Sequence, residues 1–422
     1  MNMTSHASRR ARALSAYREN EPFFLLCMQV FVLHIGQSMI SPILPLYARM
    51  FAVSTMMVGF LFTSQGIVRI GTSLPAGRLA DRVGANRLLA AAAGVVTISS
   101  LIGGLAQSYS VLLVSMLVQG LGTSVSMTSG LTYTANVSNP GNRTRHLSIF
   151  QGSFILGNSV GPAFGGLTAQ YFGYRAPFLI YGALAFLVGL WMLTRLPDSR
   201  ASILKNSEER TQRPGIVESM RGMFSHPGVV LVALIGLLAA YTRAGSRNLG
   251  VPLLGQEIGL SESQIGLTLS LMAIATVSVL FGAGSLADRF GTKATLVPSW
   301  LLTAVGLIIV AAVPGYGLFL VGAGIWGLSS GIGAPIPVAY IANVVDDASQ
   351  GAALGFYRTF NDAGLLLGPL AMGWIGDRSG VKAGLWVNAG LVILVALLFW
   401  ILAPSDEKGS KPMPSGKESQ EP

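Results

Sequence analysis

Apolar residues run in long stretches along this chain, and short polar elbows separate them. Leu88 to Gln107 and Leu385 to Ala403 are two such stretches. Each can cross a hydrocarbon core of about 30 Å, which takes about 20 residues as a helix. With no water at that depth the backbone must bond to itself, and the period-2 alternation of a membrane barrel is absent, so the pattern predicts helices. Twelve spans follow, at about residues 23–47, 56–80, 86–107, 109–134, 145–172, 175–195, 228–254, 262–287, 292–312, 316–343, 351–376 and 382–403. A polar, charged stretch at 196–227 divides them into two sets of six. The expected organisation is a polar arm (1–22), a bundle (23–195), a central loop (196–227), a second bundle (228–403) and a tail (404–422). The arm and tail are polar enough to be disordered.

Composition agrees with lipid as the solvent. Of 422 residues 51% are hydrophobic and 11% charged, against roughly 25% charged in a soluble domain. The net charge of +10 invites a nucleic-acid reading, and its distribution argues against one. Only Arg49, Arg175, Arg378 and Lys382 fall in odd-numbered loops, and Arg69, Arg243, Arg247 and Arg358 lie deep inside spans. The other basic residues sit in the arm, around the even-numbered loops and in the tail. That is the positive-inside asymmetry, which puts both termini and the central loop in the cytoplasm. The basic start (Arg9, Arg10, Arg12, Arg18) precedes a span too long for a signal-peptide core, so no cleavage is expected. A single cysteine, Cys27, excludes an internal disulfide. No metal-spaced His/Asp/Glu cluster and no Walker-type phosphate loop is present, so neither a cofactor nor an enzymatic activity is expected.

One polar elbow occurs twice. "GRLADRVGANR" (Gly77 to Arg87) and "GSLADRFGTK" (Gly284 to Lys293) place Asp288 207 positions after Asp81 (288 less 81). The same offset pairs Pro45 with Pro252, Gly59 with Gly266, Gly120 with Gly327, and Tyr133–Val137 with Tyr340–Val344. It also pairs Gly157, Gly161 and Pro162 with Gly364, Gly368 and Pro369, and Gly173 with Gly380. One register across six helices means a tandem repeat. An even number of spans per copy makes the two halves parallel, related by a pseudo-twofold along the membrane normal.

The doubled elbow resembles the signature of the major facilitator superfamily, Gly-x-Leu-Ala-Asp-Arg-x-Gly-x-Arg/Lys, between helices 2 and 3. The first copy has Gly77, Leu79, Ala80, Asp81, Arg82 and Gly84, with Arg87 one place late; the second has Gly284, Asp288, Arg289, Gly291 and Lys293 in register. Glycine permits a tight turn and close approach of helix ends. The carboxylates can meet the positive end of a neighbouring helix; the resemblance implies helix 11 for Asp81 and helix 5 for Asp288, as a conformational latch. The alternative is plain topology anchoring, which requires neither glycine nor aspartate at fixed spacing. "GNSVGPAFGG" (Gly157, Gly161, Pro162, Gly165, Gly166) resembles the helix 5 motif of the twelve-helix drug:proton antiporters, as does the pair Pro42 and Pro45 in helix 1. Two departures stand out. Met116 occupies the place of an arginine common in helix 4 of those relatives, and helix 1 has no carboxylate.

Ionisable groups at membrane depth are costly and mark function. His34, Arg69 and Asp362 fall near mid-bilayer, Arg358 is one turn from Asp362, and Arg243 lies in the outer part of helix 7. Gln37, Gln65, Gln119, Gln151 and Asn158 extend polar stripes on helices 1, 2, 4 and 5. Each of these is read as a substrate or proton pathway residue, with interhelical hydrogen bonding as the alternative; Arg358 and Asp362 can also form a structural ion pair. An excess of arginines over one aspartate favours an anionic solute, and His34 or Asp362 can carry a proton. The expectation is a monomeric, proton-coupled exporter of an amphipathic, partly anionic small molecule in a bacterial inner membrane. Import of an organic anion by proton symport is the alternative, and a non-transporting receptor is a more distant one. The partners are the small-molecule substrate, protons and the lipid bilayer; no nucleic acid is involved.

Overall fold

A computed structural model describes residues 3–138, 142–195, 223–224, 226–312, 315–345 and 347–404. The described residues form helices alone, in the twelve-span order expected. They are α1 (Met3–Arg49), α2 (Thr55–Val83), α3 (Ala85–Gly104), α4 (Tyr109–Val137), α5 (Arg143–Phe172), α6 (Ala176–Arg195), α7 (Pro227–Glu257), α8 (Glu262–Phe290), α9 (Thr292–Ala312), α10 (Tyr316–Val344), α11 (Asp347–Ser379) and α12 (Val381–Leu402). Nine of these are long and apolar enough to span a membrane by composition, and α2, α5 and α11 are the more polar remainder. The chain is a multi-pass membrane protein.

Three departures from the sequence pattern have local causes. The arm does not break from the first span: α1 begins at Met3, in a stretch rich in Ala, Arg, Leu and Glu, all good helix formers. In α7, residues Thr242–Gly250 form a π-helical segment between two α-helical pieces, a widening that periodicity does not reveal. Near its end α10 breaks after Gly333 and restarts at Ile336, where Pro335 and Pro337 remove backbone donors. Most of the central loop and the tail from residue 405 lie outside the described residues.

Within the N-terminal half α1 packs on α5, α2 on α4, and α3 on α4 and α6; α7 on α11, α8 on α10, and α9 on α10 and α12 repeat the scheme in the C-terminal half. Lipid gives no hydrophobic drive for helices to associate, so small residues that allow close van der Waals contact hold such bundles. Between halves, α2 meets α11 and α5 meets α8. The turns expected at the doubled elbow form at Gly84 (φ 99°) and Gly291 (φ 87°), a backbone region that other residues enter at a cost. Gly77 and Gly284, by contrast, lie inside α2 and α8 and make no turn.

Candidate functional site

The contacts between halves gather near one face, that of the α1–α2, α5–α6, α7–α8 and α11–α12 connections. There the repeat is visible atom by atom. A Cβ on Gly59 would overlap the Pro369 carbonyl, and one on its repeat partner Gly266 the Pro162 carbonyl. Gly166 sits against the Glu262 carbonyl, and its partner Gly373 against Met56 and the Thr55 carbonyl (2.7 Å from the Cβ position). Pro162 and Gly166 of the helix 5 motif therefore form half of this closure. The other glycines of the motif serve α1: a Cβ on Gly157 would meet the Phe31 carbonyl (2.7 Å), and Gly161 and Gly165 lie against Ser38 and Met39 with no room at all. Thr63 Oγ1 donates to the Leu366 carbonyl (2.8 Å), and Ala163 N–H, beside the proline, donates to Ser270 Oγ (2.9 Å).

Carboxylates add charge to this closed face. Asp377, at the end of α11, accepts the backbone N–H groups of Thr55 (2.6 Å) and Met56 (2.9 Å) at the start of α2, while Ser54 Oγ accepts from Met57 (3.3 Å). Partial burial works against the Asp377 charge, yet the backbone donors of Met56 and Thr55 prevail and hold its carboxyl below its ordinary range. Tyr174 donates to Glu262 Oε1 (2.7 Å). Burial, the bond to Glu262 and its charge push the Tyr174 hydroxyl up to about 12, so it stays protonated and donating. The only ion pair among the described residues is Arg49 with Glu257, at 3.9 Å on this same face.

The opposite face, where α6 and α12 end, is open. Along α2 the contacts to α11 end near Gly66, and beyond it Ile67, Ile70 and Leu79 are exposed. On α8, Phe281, Leu286 and Phe290 are exposed, and among the described residues nothing lies within 4 Å of a Cβ at Gly284. Among the described residues Gly77 has a Thr128 methyl at 3.7 Å and nothing nearer, so the close approach expected of this glycine pair is absent among them in this conformation. Asp288 and Arg289 are exposed. The side chains of Asp81 and Arg82 lie outside the described residues.

Between the closed face and the open one lie the candidate pathway residues. Arg69 (α2) and Arg243 (α7) are both exposed, although each belongs to a span. Arg243 lies within electrostatic reach of Arg69 across the interface and of Asp362 on α11. Arg247, one turn on, feels the charge of Arg243 in turn. Asp362 is half-buried and forms no ion pair with Arg358, which is exposed. Gln65 Nε2 donates to Gln119 Oε1 (3.3 Å), tying α2 to α4. Gln37 is half-buried and Gln151 exposed, and Asn158 donates to the Phe154 carbonyl (3.0 Å).

His34 is turned away from this group. It is buried in the α1–α5 contact, with Nδ1 2.7 Å from the Val30 carbonyl and its ring 4.4 Å from that of Phe154.

Several residues were not anticipated. Trp300, Trp326 and Tyr357 line a cavity with Arg243 and Arg247. Asn388, buried in α12, bonds to the π segment of α7. One signal for Asn388 was available: it is a lone amide in the middle of the most apolar span.

Two six-helix halves that share one design, joined near one face and parted at the other with charged side chains between, define a membrane transporter. The chain belongs to the Major Facilitator Superfamily, whose family profile matches residues 26–246 and again 233–421. Multidrug resistance protein 2 of Bacillus subtilis is 23% identical over 380 residues, 89% of this chain and 93% of that protein. Quinolone resistance protein NorA of Staphylococcus aureus is 21% identical over 374 residues, 88% of this chain and 94% of NorA. Among solved structures, a bacterial homolog of the human lysosomal transporter Spinster, inward-facing and unoccupied, superposes with a TM-score of 0.78 at 16% identity, covering 94% of this chain and 99% of its own. A D-xylose-proton symporter gives 0.71 at 16% identity, covering 92% and 99%. At such identities these two likenesses speak for the fold alone.

Proposed function

We propose that this transporter exports an amphipathic organic anion in exchange for protons, by alternating access across a bacterial inner membrane. The observation that carries the reading is that Arg69 and Arg243, one from each half and both exposed, lie within electrostatic reach of one another, with no carboxylate within 4.0 Å of either among the described residues. An arginine near mid-bilayer costs about 2.5 to 3.5 kcal/mol on insertion scales, and a positive cavity offsets that cost best when an anion enters it. The positive-inside pattern supports a cytoplasmic placement of the open face, and on this reading the cavity faces inward. Relatives named for drug resistance, matched along nearly their whole length, favour the outward direction. Asp362 is the better proton carrier of the two candidates, because it lies within electrostatic reach of Arg243 while His34 is held in the α1–α5 contact. Asp81 and Asp288 would latch the cytoplasmic ends onto α11 and α5 once the cavity closes there. The transporter would work as a monomer, each half turning against the other.

Inverted vesicles with an imposed pH gradient test this, comparing anionic, neutral and cationic solutes. Proton-driven uptake of anions is expected. Arg69→Gln should raise the apparent KM for anions at least about tenfold, roughly 1.4 kcal/mol, and change neutral solutes far less. Equal loss for both would make Arg69 a scaffold residue. Whole-cell accumulation fixes direction: an uncoupler should raise the level of an exported solute, and a fall would instead indicate import by symport.

A further inference from the structure

A second feature belongs to the C-terminal half alone. A cavity of about 160 Å³ opens among α7, α8, α9, α10, α11 and α12, with Arg243, Arg247, Trp300, Trp326 and Tyr357 in its walls. Three of its hydroxyl groups are already engaged. Thr276 donates to the Met272 and Gly327 carbonyls (2.8 and 2.9 Å), and Thr303 and Ser329 bond to each other (2.7 Å). The guanidinium groups are not. A guanidinium has five N–H donors in a planar fork, and Arg247 spends one on the Leu269 carbonyl (3.3 Å). No carboxylate among the described residues lies within 4.0 Å of either arginine.

The π segment sets this pair in place. Asn388 accepts from Thr242 Oγ1 (3.1 Å) and donates to Ser246 Oγ (2.8 Å), and each of those residues immediately precedes an arginine. Gly245 brings the same segment against the backbone of Gly368. The aromatic walls are equally fixed, Trp326 being 2% and Trp300 8% exposed. The N-terminal half has nothing equivalent: the repeat partners of Arg243, Arg247, Trp300 and Trp326 are Gly36, Ile40, Ala93 and Gln119. Two cationic forks with no carboxylate within 4.0 Å among the described residues, beside two indoles, are complementary to a flat anion. The forks match a carboxylate, and the indoles match an aromatic ring.

We propose that this cavity binds a planar aromatic carboxylate, its carboxylate held by Arg243 and Arg247 and its ring lying against Trp300 and Trp326. Binding stands on this geometry; that the bound molecule is cargo rests on the export reading above.

Calorimetric titration of the purified full-length protein in detergent tests the site, with benzoate, benzyl alcohol and benzylamine as probes. Benzoate should bind at least tenfold more tightly than the other two. Arg247→Gln and Arg243→Gln should each weaken benzoate at least tenfold and leave benzyl alcohol nearly unchanged. Arg247→Lys keeps a cation without the fork, so it should lose less than Arg247→Gln and keep the benzoate preference; this variant decides the matter if the glutamine variants do not fold. Trp326→Phe should retain most of the benzoate affinity. Equal binding of benzoate and benzyl alcohol by the native protein, or unchanged benzoate binding by well-folded Arg247→Gln, overturns the site. Proteoliposomes separate this from the export reading. Benzoate binding without proton-driven benzoate flux keeps the site and removes the cargo assignment. Proton-driven anion flux with native KM in Arg247→Gln keeps export and removes the site.

Discussion

Asp377 shows how one side chain can hold two halves together. Its carboxylate takes two of the unpaired N–H groups that open α2, and Ser54 takes a third. A helix start with these donors filled is satisfied, and it also presents the favourable end of the helix dipole to a negative charge. Because the latched form lowers the Asp377 pKa, the linkage has a definite sign. The contact is fully present above the ordinary carboxylate range and is lost only as pH falls through the lowered value. Interlabel distances across the closed face should therefore be constant between neutral pH and the ordinary carboxylate range and lengthen only in stronger acid. Lengthening already at mildly acid pH would mean another group governs the face. Nothing in the sequence singled out Asp377, since its partners lie more than three hundred positions away.

At the scale of elements, the repeat and the spans were legible because lipid imposes a simple rule on length and polarity. The helix 5 motif was legible as a small-residue pattern, and the structure adds which neighbour each glycine touches. That distinction predicts unequal costs on one helix. Gly161 has no room for a Cβ against Ser38 and Ile35, whereas among the described residues nothing lies within 4 Å of a Cβ at Gly152. Gly161→Leu should destabilise the protein by about 1 to 3 kcal/mol, as overpacking does, and Gly152→Ala should leave its thermal midpoint in place. Equal midpoints for the two variants would mean α1 and α5 separate freely. The orientation of α1 was beyond the sequence. His34 lies on a polar stripe that could face a cavity or a helix, and only the packing of α5 decides for the helix. The π segment of α7 was hidden for a similar reason, because its stability comes from Asn388 far along the chain. Asn388→Leu should cost about 1 to 3 kcal/mol by leaving buried hydroxyls unpaired, read as a lower unfolding midpoint.

At the scale of the whole molecule, the two faces use one chemistry at opposite ends. On the closed face a carboxylate at the end of α11 meets the start of α2. On the open face Asp288, at the end of α8, is exposed and has α5 as the neighbour implied by family resemblance. If both act as latches, they oppose each other, since each can form only when its own face is closed. Either interaction is worth up to about 2 kcal/mol at a helix terminus, and each 1.4 kcal/mol is about tenfold in a population. Asp377→Asn should then shift the protein toward the form open at the α1–α2 face by at most about thirtyfold. Asp288→Asn should shift it the other way, and the double variant should return close to the native balance, because a state gains only what it alone contributes. Spin-label distances measured across both faces read all three populations. Shifts of the two single variants in the same direction, or a double variant no nearer the native balance than either, would show that the carboxylates do not work as opposed latches.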